Sequence, residues 1–168
     1  MTIASNQYPN EIALVQNPTM GAYALWRFSL AFQSRNDSEP SIALAFMVLP
    51  LILHAATRSM IRSTQIGSGL ALFAGKLGEH REDLLAIHDR TLEFKELTLE
   101  SIVLGEQAGL FTLNIDAASI KAVQITGDGP VPPLPKSLKW LIPACEKIGV
   151  WFAEISSEQV AKTLCVEF

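Results

Sequence analysis

Three histidines are the residues of this sequence best suited to acid–base or metal chemistry, and their spacing does not assemble a site. His80 and His88 are eight residues apart, about 80° apart on a helix, which is poor geometry for sharing a metal ion. His88 and Asp89 offer an acid–base pair, but they lie in a strongly charged stretch typical of a solvated helix face. His54 ends an apolar segment, where capping or bonding a neighbour is the expected role. We therefore expect no metal site here.

Phosphate and thiol chemistry also lack their usual patterns. The turn Gly67-Ser68-Gly69 has no following lysine of the kind that meets a nucleotide phosphate. Cys145 and Cys165 stand twenty residues apart without a CxxC spacing, and buried, reduced thiols are expected. The residues predict no catalytic residue, no cofactor and no metal, and the chain is expected not to be an enzyme. A site around His54 and Arg58 remains a further alternative.

Arginine and tryptophan indicate a binding surface instead. Arg58 and Arg62 lie four apart, on one side of a possible helical turn, where they either meet an acidic partner or face water. Trp140 and Trp151 are eleven residues apart and share a helical face about 20° wide, with Ala144 between them. That face either packs on the N-terminal helices or anchors a protein partner, since tryptophans often dominate interfaces. The predicted partner interface is Trp140, Ala144, Trp151, Arg58 and Arg62.

Composition bounds the elements that position these residues. The 168 residues are 49% hydrophobic and only 18% charged, whereas about 25% charged residues is usual. Intrinsic disorder is therefore excluded, and part of the apolar surface is expected to be covered by something else. A net charge of −4 disfavours a basic nucleic-acid binder. The start of the chain lacks a secretory signal pattern, and the apolar run 42–53 would span about 18 Å as a helix, too short for a bilayer. A cytoplasmic protein without a membrane contact is expected.

The order of segments predicts a mainly α fold with one β-hairpin. Helices are expected over 20–32, over 42–53 with a kink or end at Pro50, over 70–77, 82–93, 95–108 and 137–154, and in a short last helix capped by Ser156 or Ser157. Asn17 and Ser41 are expected caps, and alternating segments 110–115 and 120–125 predict the hairpin. Predicted domains are a flexible arm 1–10, a helical core 11–126, a Pro/Gly linker 127–136, and C-terminal helices 137–168 that pack on the core or a partner.

Two helices followed by a hairpin is also the order of a winged-helix unit. The helix in the recognition position, 95–106, carries three glutamates and one lysine, and carboxylates are repelled by DNA phosphates. The pattern therefore favours protein contact over duplex reading. A stand-alone winged-helix transcriptional regulator remains the alternative function.

Several segments together resemble a known family. They are Asn17-Pro18 before an aromatic helix, SIALAFMVLPLILHAATR (41–58), Gly109-Leu110-Phe111, and IGVWFAE (148–154). In order and spacing, from about residue 11 to 166, they resemble the middle component of three-component ABC systems, which are bacterial conflict systems. The most specific piece runs from Val48 to Arg58, although Ala56 stands where a proline is common.

The resemblance implies a non-catalytic adaptor between an SMC-like ABC ATPase and a nuclease-type effector in an anti-phage or anti-plasmid complex. It is similar to the small subunit of Lamassu-type systems. DNA contact would be indirect, through the complex. The resemblance carries over no catalytic or cofactor residue, because ATP and nuclease chemistry would belong to the partners.

Overall fold

A computed structural model describes residues 17–125 and 134–168, and this part of the chain is mainly helical with one β-hairpin, as predicted. In chain order the α-helices are α1 (Pro18–Asn36), α2 (Ile42–Leu53), α3 (Ala55–Ser63), α4 (Gly69–Gly78), α5 (Arg81–Glu93), α6 (Lys95–Gln107), α7 (Leu141–Ala153) and α8 (Ser157–Thr163). Strands β1 (Phe111–Asn114) and β2 (Ser119–Ala122) form the hairpin, and short 3-10 turns span Ile66–Ser68 and Lys136–Leu138. The predicted arm 1–10 and most of the predicted linker 127–136 lie outside the described residues.

Helix α1 is the central element, packed mainly against α6 and α7. It begins as predicted, because the Asn17 side chain accepts a hydrogen bond from the Thr19 amide at 3.0 Å and Pro18 occupies the first turn. Buried residues occur almost all round it, including Leu25, Trp26 and Phe28. A helix that is apolar on every side must be enclosed, and α1 is.

Helices α2 and α3 meet at a bend of 96°. The Ser41 hydroxyl caps α2, but Pro50 does not end the helix, which continues to Leu53. Of the two alternatives predicted at Pro50, a kink or an end, the end is wrong, because burial of α2 along most of its length outweighs the one backbone hydrogen bond that proline removes. Among the described residues no single helix has the length and hydropathy to cross a bilayer, and the bent pair α2–α3 meets those criteria only jointly.

The hairpin is attached to the connection between α1 and α2. Antiparallel pairing sets Phe111 opposite Ala122 and Leu113 opposite Ile120, so the strands are shorter than the alternating segments predicted. The Ser119 hydroxyl donates to a Glu39 carboxylate oxygen at 2.7 Å, and the Ile120 amide donates to the carbonyl of residue 40 at 3.0 Å. These bonds hold the hairpin against the helices.

Helix α7 begins later than predicted, at Leu141 instead of Ser137. Pro143 explains the difference, because proline is tolerated in the first turn of a helix and opposes a helix that continues through it. The chain before it forms the 3-10 turn Lys136–Leu138. A capping box between Ser156 and Gln159 starts α8, so Ser156, one of the two predicted caps, is the one used.

Candidate functional site

A groove of about 610 Å³ lies between α3 and the start of α7. It brings together four of the five predicted interface residues: Arg58 and Arg62 from α3, and Trp140 and Ala144 from the α7 region. Its volume falls within the range of about 300–1,000 Å³ that is usual for ligand pockets. The remaining lining residues are Ala55, Ser59, Lys139, Pro143 and Lys147.

The lining of this groove is cationic. It contains two arginines and two lysines and no carboxylate, although the whole chain carries a net charge of −4. Clefts lined by charge of one sign focus the electric field and raise the local concentration of ligands of opposite charge. The groove therefore favours an anionic group.

Arg58 and Trp140 line the groove and contact each other across it. The Arg58 guanidinium carbon lies 4.4 Å from the centre of the Trp140 ring, a cation–π contact between α3 and the start of α7. One Arg58 nitrogen also donates to the Ile52 carbonyl at 3.4 Å. Trp140 is partly exposed, so it presents apolar surface beside the cations.

Lys147 joins the two sides of the groove. Its ammonium donates to the carbonyls of Ile61 and Arg62, each at 3.1 Å, and of Thr64 at 2.8 Å. Ile61 and Arg62 are in the last turn of α3 and Thr64 is its C-cap, so Lys147 caps the end of α3 from α7. Burial and the nearby Lys76 lower the pKa of Lys147.

Arg62 and Lys139 are the accessible cations of the groove. Both are exposed, and within residues 17–125 and 134–168 neither side chain makes an ion pair or a hydrogen bond. Arg58 and Lys147 are held by contacts within the chain, whereas Arg62 and Lys139 have their donors available to a ligand. Lys139, Pro143 and Lys147 were not predicted as site residues. A signal for Lys147 existed, since it is seven residues after Trp140 and shares its helical face.

Trp151, the fifth residue of the predicted interface, lies outside the groove, and at its position the structure supports the alternative of packing within the chain. Trp151 is completely buried, its ring stacks on Phe73 with centroids 5.3 Å apart, and its indole N–H donates to the Ile66 carbonyl at 2.8 Å. The face of α7 that the two tryptophans share is therefore covered by α4 and the turn before it at the Trp151 end, and it lines the groove at the Trp140 end. A helical wheel places residues around one helix and contains no information on which neighbour covers each end.

His54 lies at the bend between α2 and α3 and has a structural contact network. Its Nδ1 accepts hydrogen bonds from the Thr57 amide at 3.4 Å and, at 3.0 Å, from the Thr57 hydroxyl, which in turn accepts from Arg90 at 3.3 Å. His54 is thus the N-cap of α3, where the sequence predicted capping of carbonyls or a bond to a neighbour. Burial, followed by the positive charge of Arg90, lowers the pKa of His54.

The other two histidines are apart from this network. His88 accepts the backbone N–H of Glu167 at 3.3 Å, and His80 precedes α5 without a side-chain cap. Across the described parts of the chain, no group of three or more His, Cys, Asp or Glu residues is placed to hold a metal ion.

A second candidate surface lies on α5 and α6. Large apolar side chains are exposed there: Leu85 (49%), Leu92 (58%), Leu99 (45%) and Val103 (53%). The stretch 79–106 also carries eight carboxylates against three basic residues. This acidic, apolar surface, which we call the α5–α6 surface, is opposite to the groove in charge.

Comparison with known proteins identifies one family. Residues 5–168 match the family model described as ABC-three component (ABC-3C) system Middle Component 3. No curated protein and no solved structure matches the chain. The family match covers almost the whole sequence, including both candidate surfaces.

Proposed function

The chain belongs to the Middle Component 3 family of ABC-three-component systems, and from this premise we propose that it is a non-catalytic adaptor joining an SMC-like ABC ATPase to a nuclease-type effector. Membership of the family places the chain in a system with partner components. The adaptor role, the identity of the two partners and the absence of catalysis by this chain are the proposal.

The two candidate surfaces support a bridging role. An adaptor must contact two partners at once, and this chain presents two chemically different surfaces on different helices. The groove is cationic and built on α3 and α7, whereas the α5–α6 surface is acidic and apolar. Opposite chemistry on the two surfaces would let each select a different partner, because electrostatic complementarity suppresses wrong pairings.

We further propose that the complex acts in cytoplasmic anti-phage or anti-plasmid defence and is similar to Lamassu-type complexes. In this arrangement the ATPase supplies ATP hydrolysis and the effector supplies nuclease chemistry. The present chain would set their relative position and contact DNA only through them. The winged-helix-like character of the segment from α5 to the hairpin remains part of this proposal, as a unit used for protein contact.

Family membership does not favour the alternative of a stand-alone transcriptional regulator. The charge of α6 also disfavours a regulator, because its three glutamates outnumber its single lysine and would be repelled by DNA phosphates. An adaptor should bind duplex DNA no more tightly than about 10⁻⁴ to 10⁻⁶ M at physiological salt, the usual non-specific range. A sequence-specific nanomolar gel shift by the purified chain would support the regulator.

Co-expression with the adjacent ATPase and effector genes tests the proposal. With a tag on the ATPase, the adaptor model expects all three proteins to purify together and expects the effector to be lost when this chain is omitted. If the effector co-purifies equally well without this chain, the bridging function is wrong.

A further inference from the structure

We infer that the groove between α3 and α7 is the docking site for a short segment of a protein partner that carries acidic side chains next to an apolar one. The inference rests on the proposed adaptor function and adds the chemistry of one of its two contacts. It is carried by the juxtaposition of two cations that have no side-chain partner in the described parts of the chain with a partly exposed aromatic ring, on a chain whose net charge is negative.

The accessible cations define the anionic part of the ligand. Arg62 and Lys139 are exposed and project from opposite sides of the groove, while Arg58 and Lys147 are engaged by Trp140 and by the carbonyls at the end of α3. The guanidinium of an arginine matches a carboxylate bidentately, and a lysine adds a point charge. Two free cations suit one or two carboxylates.

The apolar wall defines the rest of the ligand. Trp140 is partly exposed, and Ala55, Pro143 and Ala144 line the groove beside it. A partly exposed tryptophan next to small apolar residues is the type of pocket that an aliphatic or aromatic anchor fills at a protein interface. A ligand with charge alone would leave this wall solvated.

A nucleic-acid backbone fits the same groove less well. A duplex binder neutralises many phosphates, about 6–10 in strongly salt-dependent complexes, along an extended basic track. The groove holds four cations, two of them without a side-chain partner among the described residues, and the chain as a whole is acidic. A peptide with few carboxylates matches the small number of cations in the groove and their location in one place.

The first experiment measures binding of a probe peptide to the full chain. The probe is a short fluorescein-labelled peptide in which leucine residues are flanked by glutamates, followed by fluorescence anisotropy. We expect saturable binding that weakens with added salt, and a loss of about tenfold or more when the glutamates are replaced by glutamines. Equal binding of the glutamine peptide, or tighter binding of duplex DNA than of the acidic peptide, would overturn the proposal.

Charge reversal locates the binding. The double variant Arg62→Glu/Lys139→Glu should bind the acidic peptide about tenfold or more weakly than the wild type, since both accessible cations become carboxylates. The matched control is Lys121→Glu/Lys162→Glu, which makes the same change in net charge at two exposed positions outside both the groove and the α5–α6 surface. Both variants should keep the wild-type circular dichroism and denaturation midpoint. Equal losses in the two folded variants would overturn the assignment to the groove.

The same variants in the co-expressed complex separate this inference from the adaptor function. The groove variant should release one partner and retain the other, while the control retains both. If the groove variant retains both partners, the groove inference is wrong and the adaptor function stands. If the wild-type chain itself fails to join the two partners, the adaptor function is wrong, and the peptide titration then decides the groove.

Discussion

Two tryptophans that share one face of a helical projection have opposite surroundings in the fold. Trp151 is enclosed and donates its indole N–H to Ile66, whereas Trp140 is partly exposed at the groove and holds Arg58 over its ring. Emptying a buried aromatic site costs folding free energy, while removing a surface aromatic removes a local contact. Substitution of Trp151 should therefore reduce folding stability, whereas substitution of Trp140 should mainly reduce assembly of the complex.

Trp151→Ala should lower the free energy of unfolding by about 3–5 kcal/mol, the usual cost of emptying a buried aromatic site. Trp140→Ala should cost only about 1 kcal/mol, because it removes one cation–π contact at a partly exposed position. Urea denaturation followed by circular dichroism measures both. In the complex, Trp140→Ala should weaken assembly by about 2 kcal/mol. Equal unfolding losses for the two variants would contradict their different placement.

The stability of the bend between α2 and α3 should depend on pH through His54. Only the unprotonated Nδ1 can accept the Thr57 hydrogen bonds, and burial with Arg90 lowers the pKa of His54 in the folded chain. The unfolded chain therefore binds the proton more tightly. This contribution to stability is complete above the ordinary histidine pKa of about 6.5 and is lost as the pH falls through and below that value.

His54→Asn provides the test, since asparagine keeps a capping acceptor and does not titrate. Urea midpoints measured from about pH 7.5 down to pH 5 should fall less for His54→Asn than for the wild type. His80→Asn is the control, because His80 makes no side-chain cap and is exposed. A pH dependence that is unchanged in His54→Asn and reduced in the control would contradict the assignment.

At the scale of elements, the close packing of α7 on α1 depends on Gly149. A Cβ atom at this position would lie 2.5 Å from the Phe28 carbonyl oxygen and 2.8 Å from the Ala31 Cβ. Backbone atoms cannot rotate away as a flexible side chain can, so the two helices must separate to admit even one methyl group. This contact sets the distance between the central helix and the helix that builds the groove.

Gly149→Ala should lower the free energy of unfolding by about 1–3 kcal/mol, the range of overpacking in a tight core. Gly75→Ala is the matched control, because Gly75 is also inside a helix and a Cβ there meets nothing within 4 Å. The control should gain up to about 1 kcal/mol from the better helix propensity of alanine. The prediction fails if guanidinium denaturation shows that the free energy of unfolding changes in the same direction in both variants.

At the scale of the whole molecule, a low charge content coexists with a strongly uneven charge distribution. Only 18% of residues are charged, the groove collects four cations, and α5 and α6 carry most of their charge as carboxylates and also expose large apolar side chains. Exposed apolar surface on this scale marks interaction sites. When its partners are absent, the isolated chain is therefore expected to self-associate through these surfaces.

The purified chain should therefore self-associate at micromolar concentration, and Leu92→Lys/Val103→Lys should shift it toward the monomer. Each substitution places a charge in the exposed apolar region of the α5–α6 surface. Leu72→Lys is the control, with similar exposure (48%) on α4. Multi-angle light scattering reports the mass of each. A stable wild-type monomer would contradict the prediction, as would an equal effect of the control.

The features that the sequence by itself determined are those that depend on residues close together in the chain. Asn17, Ser41 and Ser156 cap their helices through bonds to amides two or three residues ahead, so the residue types were sufficient to predict them. The hairpin and the boundary between α5 and α6 follow from alternation and periodicity in the same way. The mainly helical class with one hairpin was predictable for this reason.

Tertiary structure decided every question of which surface is covered. Trp151 is buried because Phe73 and Ile66, 78 and 85 positions away in the chain, pack on it. Pro50 stays within α2 because its neighbours enclose the helix. Lys147 becomes part of the groove only through carbonyls 83–86 residues distant. A helical projection contains one helix, whereas burial and charge clustering depend on the elements that pack around it.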